Sequence, residues 1–302
     1  MPSSRNILGA LSIAGFATCV ATSGGCSGGA TVNLGDQFPR PYHFGVPRAL
    51  TELGAAPSDN PTLTADLLEI FFTSNRDGVS TDVWTAHRAS ASDPFEGVAL
   101  VAAASTPAFE TSSAISLDGL TLWVGSDREG GLGDLDIWML RRPAREGAWS
   151  APVNLLSLNS PLRDVPRQPG QHDRVMPLAS QRDNPDLYRT YLSARASATA
   201  PFETPQAIPE LAFATTSTVD AFLSDDGLAL FFSSSPPLGV GDLFVAWRRS
   251  TAEPFLFYEP LDELNTPGDE RDPWLSPDGG TLFFTSDRGG VLAIYEVPAS
   301  RP

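Results

Sequence analysis

The sequence contains no lysine: all 20 of its basic residues are arginine. Against 36 acidic residues this leaves a formal charge of −16 at neutral pH. Such a balance excludes a nucleic-acid footprint, which needs clustered cations facing phosphates. It argues equally against anionic lipid headgroups. The missing lysine accompanies abundant Ala, Gly and Pro, as the codon bias of a GC-rich genome would produce. Cysteine is nearly absent, and Cys19 and Cys26 both lie near the N-terminus. The rest of the chain can therefore form no disulfide and no thiolate zinc site. The three histidines, His43, His87 and His172, lack metal-ligand spacing. Beyond residue 33 no Gly-x-Ser-x-Gly elbow presents a serine, so nothing in the domain supports a Ser-His-Asp hydrolase. Beyond residue 33 there is no run of 18 apolar residues and almost no amphipathic helical periodicity.

What is present begins with an apparent export signal. Arg5 precedes an apolar stretch at residues 7–20 (ILGALSIAGFATCV), too short to span a bilayer comfortably, and small residues follow. The reading is a signal at 1–26, a Gly/Ser-rich tether at 27–39 and a single domain at 40–300. Gly24-Gly25-Cys26 resembles a bacterial lipobox, which would make Cys26 the lipid attachment point. Ordinary cleavage near residues 21–23 is the alternative.

The domain is built from an internal repeat. LTADLLEIFFTSNRDG (63–78), ISLDGLTLWVGSDREGG (115–131), LSDDGLALFFSSS (223–235) and LSPDGGTLFFTSDRGG (275–290) are copies of one pattern. Asp66 and Asp118 are 52 residues apart, as are Asp226 and Asp278. The 108 residues between Asp118 and Asp226 leave room for one more copy. MPLASQRDNPDLY (176–188) is that copy, with Ser180-Gln181-Arg182 kept and the Asp-Gly turn lost. In each unit Asp-Gly signals a tight turn before a short apolar strand. A third strand follows at Asp82-Val83-Trp84, Asp136-Ile137-Trp138, Asp186-Leu187-Tyr188, Asp242-Leu243-Phe244 and Ala293-Ile294-Tyr295. A fourth is led by Phe95, Trp149, Phe202 or Phe255. Four short strands per unit of about 53 residues is the signature of a propeller blade. The last repeat lacks its fourth strand, and residues 46–53 supply a spare one. The expectation is an all-β, five-bladed β-propeller with four-stranded antiparallel blades, in which the N-terminal strand completes the last blade and protects open edges.

LSPDGGTLFFTSDRGG resembles the TolB-type, or WD40-like, propeller repeat. The likeness covers nearly the whole domain, close in repeats two and five and poor in three. It implies an extracytoplasmic binding platform, since relatives with hydrolase activity carry their nucleophile outside the propeller.

Ser-Asp-Arg recurs in several blades, whereas a catalytic group is needed only once. The expectation is structural work: Asp caps the turn and Arg pairs with a carboxylate, which the next blade could supply. The candidate binding residues precede the innermost strands and line the channel mouth: Asp164, Asp220 and Asp272, with Asn60 and Ser112 in the first two blades. Three carboxylates could bind Ca²⁺, two could act as acid and base on a glycosidic bond, or all could be a lining neutralised by Arg163 and Arg271. Trp274 is either a sugar-stacking platform or blade packing. The Arg-rich segment 162–190 is either drift or a loop rebuilt for binding. The functional expectation is a monomeric, exported, non-enzymatic module without a cofactor, in the periplasm or at the outer membrane or cell surface. It would bind a protein, peptide or glycan, with no nucleic acid and with membrane contact only through a lipid anchor. A carbohydrate-active hydrolase and a calcium-dependent lectin-like module are the alternatives.

Overall fold

Short strands separated by Asp-containing turns follow from local hydrogen bonding. Asp278 Oδ1 accepts from the Ser276 hydroxyl (2.6 Å) and from the Gly280 N–H (2.9 Å). Asp118, Asp226 and Asp66 make the same pair of bonds in their own turns. Gly279 sits at φ +71°, a conformation that β-branched residues resist. Gly279→Val should therefore cost about 2 kcal/mol and lower the melting temperature by roughly 5 °C. An unchanged thermal melt would show that the turn relaxes instead.

The computed structural model describes residues 40–301, apart from Val79 and Leu238. Among the described residues, twenty-one strands form five antiparallel sheets. The chain opens with β1 (His43–Phe44) and β2 (Arg48–Ala49). Blade 1 is β3 (Ser58–Leu63), β4 (Glu69–Ser74), β5 (Asp82–His87) and β6 (Glu96–Leu100). Blade 2 is β7 (Glu110–Ile115), β8 (Thr121–Ser126), β9 (Asp136–Arg141) and β10 (Val153–Asn154). Blade 3 is β11 (Asp164–Pro166), β12 (Val175–Ser180), β13 (Arg189–Ala194) and β14 (Gln206–Ala207). Blade 4 is β15 (Ser217–Leu223), β16 (Ala229–Ser235), β17 (Asp242–Trp247) and β18 (Phe257–Pro260). Blade 5 is β19 (Glu270–Leu275), β20 (Thr281–Ser286) and β21 (Ala293–Ser300). Both β1 and β2 pair antiparallel with β21 and complete this last sheet. The closing strand is thus two short pieces, not the single run at 46–53 that the sequence suggests.

The core lies between blades, because successive side chains of a strand face opposite neighbours. Phe71 packs with Ile115 and Leu122 of blade 2, while Phe72 packs with Trp274 and Phe283 of blade 5. Ion pairs also cross between blades, including Arg142–Glu69 (2.5 Å) and Arg145–Asp66 (2.6 Å) from blade 2 to blade 1.

Blade 3 corrects two sequence expectations. Its third strand begins at Arg189, three residues after Asp186. Tyr191, not Tyr188, therefore matches Trp84, Trp138, Phe244 and Tyr295, and the spacings become 54, 53, 53 and 51 residues. Second, the place of the lost Asp-Gly turn is taken by Gly170–Asp173, where Gln171, His172 and Asp173 have φ of 52°, 57° and 61°.

Candidate functional site

The repeated Ser-x-Arg motif resolves first. Arg128, Arg182 and Arg288 reach back to the acid that begins the inner strand of their own blade: Glu110 (3.1 Å), Asp164 (2.7 Å) and Glu270 (3.4 Å). Each also donates to a backbone carbonyl of the turn before that strand, at Ala104, Leu158 or Leu264. Each guanidinium lies about 5 Å from the third-strand aromatic, Trp138, Tyr191 or Tyr295, a favourable cation–π geometry. Asp127 and Asp287 accept backbone N–H groups at Phe109 (2.7 Å) and Asp269 (2.9 Å). Blade 4 has no arginine here, and Thr218 replaces the acid. Phe244 stacks on Phe232 instead, with centroids 5.4 Å apart. The motif thus fastens blades 2, 3 and 5 internally, and in blade 1 Arg76 bonds the Ser58 hydroxyl in place of an acid.

This register moves Asp164. It pairs with Ser180, as Glu110 pairs with Ser126 and Glu270 with Ser286. Asp164 is therefore a fully buried partner of Arg182, not a group at the channel mouth. The misleading signal is local: Arg163-Asp164-Val165-Pro166 looks like Arg271-Asp272-Pro273-Trp274. The usable signal is the constant 16-residue spacing from the acid to the serine of Ser-x-Arg.

The remaining channel positions do come together. Asn60, Ser112, Asp220 and Asp272 each occupy a bulge of their inner strand with φ between 55° and 58°. Blade 3 has no bulge, since Pro166, whose ring fixes φ near −65°, pairs in register with Leu178. Arg167 follows at the level held by Thr62, Ala114, Phe222 and Trp274 in the other blades. Its guanidinium bonds Asn60 Oδ1 (2.7 Å), Asp220 and Asp272 Oδ1 (3.1 Å). Gln168 then donates through Nε2 to the carbonyls of Leu63 (3.0 Å) and Ile115, and accepts from Trp274 Nε1 (2.6 Å). Two consecutive residues of blade 3 thus bond all four other blades across the channel. Burial pulls the Arg167 guanidinium down, opposed by Asp272 and Asp59. The Asp59 carboxyl is pushed up by burial and by Asp272, although Arg271 lies 2.8 Å away.

Trp274 is 1% exposed and packs between Phe222 and Phe283, so its face is not presented as a stacking platform. Above Gln168, the first turns of blades 2, 4 and 5 and the chain at Pro169-Gly170 enclose a cleft of about 380 Å³. Its walls include Phe222, Leu275 and Pro277, with Asp225, Asp226 and Asp278 as its acids. Arg301 also lines it, bonded to Tyr42 and Asp226. The sequence reading missed this cleft, because it joins turns from blades far apart in the chain. Among the described residues, no group of three or more His, Cys, Asp or Glu is arranged to hold a metal ion. Cys26 lies outside the described residues.

His172 beside this cleft is anchored by its N–H to Asp225 (2.7 Å). Its neighbour Asp173 is pushed up to about 6 by burial, with Asp118 and Asp225 adding and Arg195 opposing. A folded pKa above the unfolded 3.8 means that the folded state holds the proton more tightly, so this group's contribution falls as pH rises from about 4 to about 6. Asp173→Asn should then melt above wild type at pH 7 and level with it near the lower end of that window. A variant that melts below wild type at pH 7 would reverse the sign.

Neither a protein-family model nor a curated protein sequence matches the chain. Solved structures do. TolB from Acinetobacter baumannii aligns with a TM-score of 0.50 and 12% identity, over 82% of this chain and 55% of TolB. The fold is TolB-like. The TolB-like ring is also similar to a protein of unknown function from Dyadobacter fermentans (TM-score 0.55, 11% identity, 87% of this chain and 100% of that one). An endo-arabinase from Bacteroides thetaiotaomicron aligns with a TM-score of 0.53 and 11% identity, over 85% of this chain and 97% of its own. This chain spans only about half the length of the TolB chain, and likeness at such identities concerns the fold alone.

Proposed function

We propose that this TolB-like propeller is a non-enzymatic binding module that takes a protein, peptide or glycan ligand on the face formed by its first turns. The observation that carries this reading is the Arg167 guanidinium shared between Asp220 and Asp272. General acid–base hydrolysis of a glycosidic bond uses two carboxyl groups flanking the bond, one able to donate a proton. Here both channel carboxylates are held by one buried cation, and Gln168 lies between them and the cleft. The cleft's volume of about 380 Å³ falls within the range of ordinary ligand sites. Its apolar walls and acidic rim suit an oligosaccharide or a short peptide.

The module is exported, on the strength of the apolar stretch at residues 7–20, with Cys26 as its lipid attachment, and it works as a monomer in the periplasm or at the cell surface. Among the described residues no helix is long and apolar enough to cross a membrane.

The test is a thermal-shift screen of the purified protein against oligosaccharides, peptidoglycan fragments, short peptides and Ca²⁺. A ligand of the native state raises the melting temperature by mass action. A shift that disappears in Asp225→Asn places the ligand in the cleft. Turnover of arabino-oligosaccharides that is lost in Asp272→Asn would overturn the non-enzymatic reading in favour of a hydrolase.

A further inference from the structure

A second, smaller cleft of about 180 Å³ lies between blades 2 and 3, bordered by Trp123, Asp118, Asp173, Arg141, Arg195 and Thr199. Two of its bordering side chains carry buried polar atoms without a hydrogen-bond partner: Trp123 Nε1, a donor, and Asp173 Oδ1, an acceptor. Buried polar atoms are normally paired, so two orphans of opposite polarity on one cleft call for an explanation. Trp123 is fully buried.

The charges around the cleft are of both signs. Arg195 is 7% exposed, held over the Phe202 ring at 4.2 Å and fixed by its Nε–H to the Asp173 carbonyl (2.6 Å). That bond uses only one edge of its planar fork, and the guanidinium has further donors. Arg141 is close enough to Arg195 for the two cations to oppose each other, and its side chain is exposed. Asp118 commits Oδ1 to its turn, and its charge acts on Asp173. A simple anion placed here would face two carboxylates, and a simple cation three guanidiniums, of which Arg142 is already paired with Glu69. A molecule carrying both charges satisfies both. The volume is below that of drug-sized ligand sites, so the molecule is small.

We propose that this cleft between blades 2 and 3 binds a small zwitterion, an α-amino acid with a short side chain. Its ammonium group faces the Asp173 carboxylate, Asp118 supplies the second negative charge, and its carboxylate faces the guanidiniums of Arg141 and Arg195. This site is separate from the axial cleft and stands or falls independently of it.

Isothermal titration of the purified protein with L-alanine tests the assignment, with N-acetyl-L-alanine, L-alaninamide and glycerol as controls. L-alanine should bind, and each capped analogue should bind at least about tenfold more weakly, the loss of one charge-assisted bond. Glycerol should not bind. Arg141→Gln, on an exposed side chain, should weaken alanine by about tenfold while leaving the melting temperature unchanged. Asp173→Asn should weaken it by a similar factor. Absence of alanine binding, equal binding of the capped analogues or glycerol, or affinity unchanged in both variants would each overturn the proposal.

Discussion

Removing residues 40–54 should leave no folded monomer. The segment supplies the outer strands of blade 5, with His43–Phe44 and Arg48–Ala49 paired to Ala293–Ser300. It also buries Tyr42, Leu50 and Leu53, at 1%, 3% and 2% exposure. Burying such side chains contributes about 1.5–3 kcal/mol each. Their joint loss is comparable with the whole net stability of a domain, about 5–15 kcal/mol. The deletion also strips bonds that tie the ends together, including Leu50 N–H to the Ile294 carbonyl (2.8 Å) and Arg301 to the Tyr42 hydroxyl. What remains is an eight-residue strand, β21, with one edge unpaired, a template for association between chains. Size-exclusion chromatography should show aggregates or higher oligomers, and the cooperative thermal transition should vanish. A monomer that melts like the parent would mean that the ring does not depend on this closure.

Arg167→Leu should be the most damaging single substitution in the channel. It keeps an apolar side chain at a level where other blades have Ala114, Phe222 and Trp274. It leaves Asp220, Asp272 and Asn60 without their shared donor. Breaking a buried ion pair from one side costs about 3–5 kcal/mol, which corresponds to a fall in melting temperature of roughly 10 °C in a domain of this size. The sign of its pH dependence separates charge from packing. Unpaired buried carboxyls titrate above their unfolded values, so the neutral form is favoured in the folded state. The deficit against wild type should then shrink as pH falls toward the carboxylate range. A deficit constant from pH 7 to pH 5 would point to lost packing alone.

Much of the fold was legible because its determinants are local. Asp-Gly turns, two-residue alternation in LFF-type strands and a period near 53 residues each act within one blade. Together they fix the strand order, the blade count and the use of the N-terminus to complete blade 5. Ser-x-Arg could be read as structural for the same reason, since its acid lies 16 residues before its serine. The register of blade 3 was less legible. The loss of its Asp-Gly turn removed the marker that aligns the other blades, and a chance likeness of Arg163-Asp164-Val165-Pro166 to the blade 5 sequence displaced Asp164 by two residues.

The sequence by itself determined the blades, because each blade's strands are neighbours in the chain and pair through bonds between nearby segments. Only the tertiary structure decided the plug across the channel and both clefts. Arg167 and Gln168 become a plug solely because Pro166 cannot adopt the left-handed bulge conformation and the ring brings residues 105 to 107 positions away within bonding distance. The axial cleft needs turns from blades 2, 4 and 5 to converge, and Trp123 and Asp173 come to line one cleft only across a blade interface. Such contacts depend on how five sheets close around an axis, which no spacing along the chain encodes.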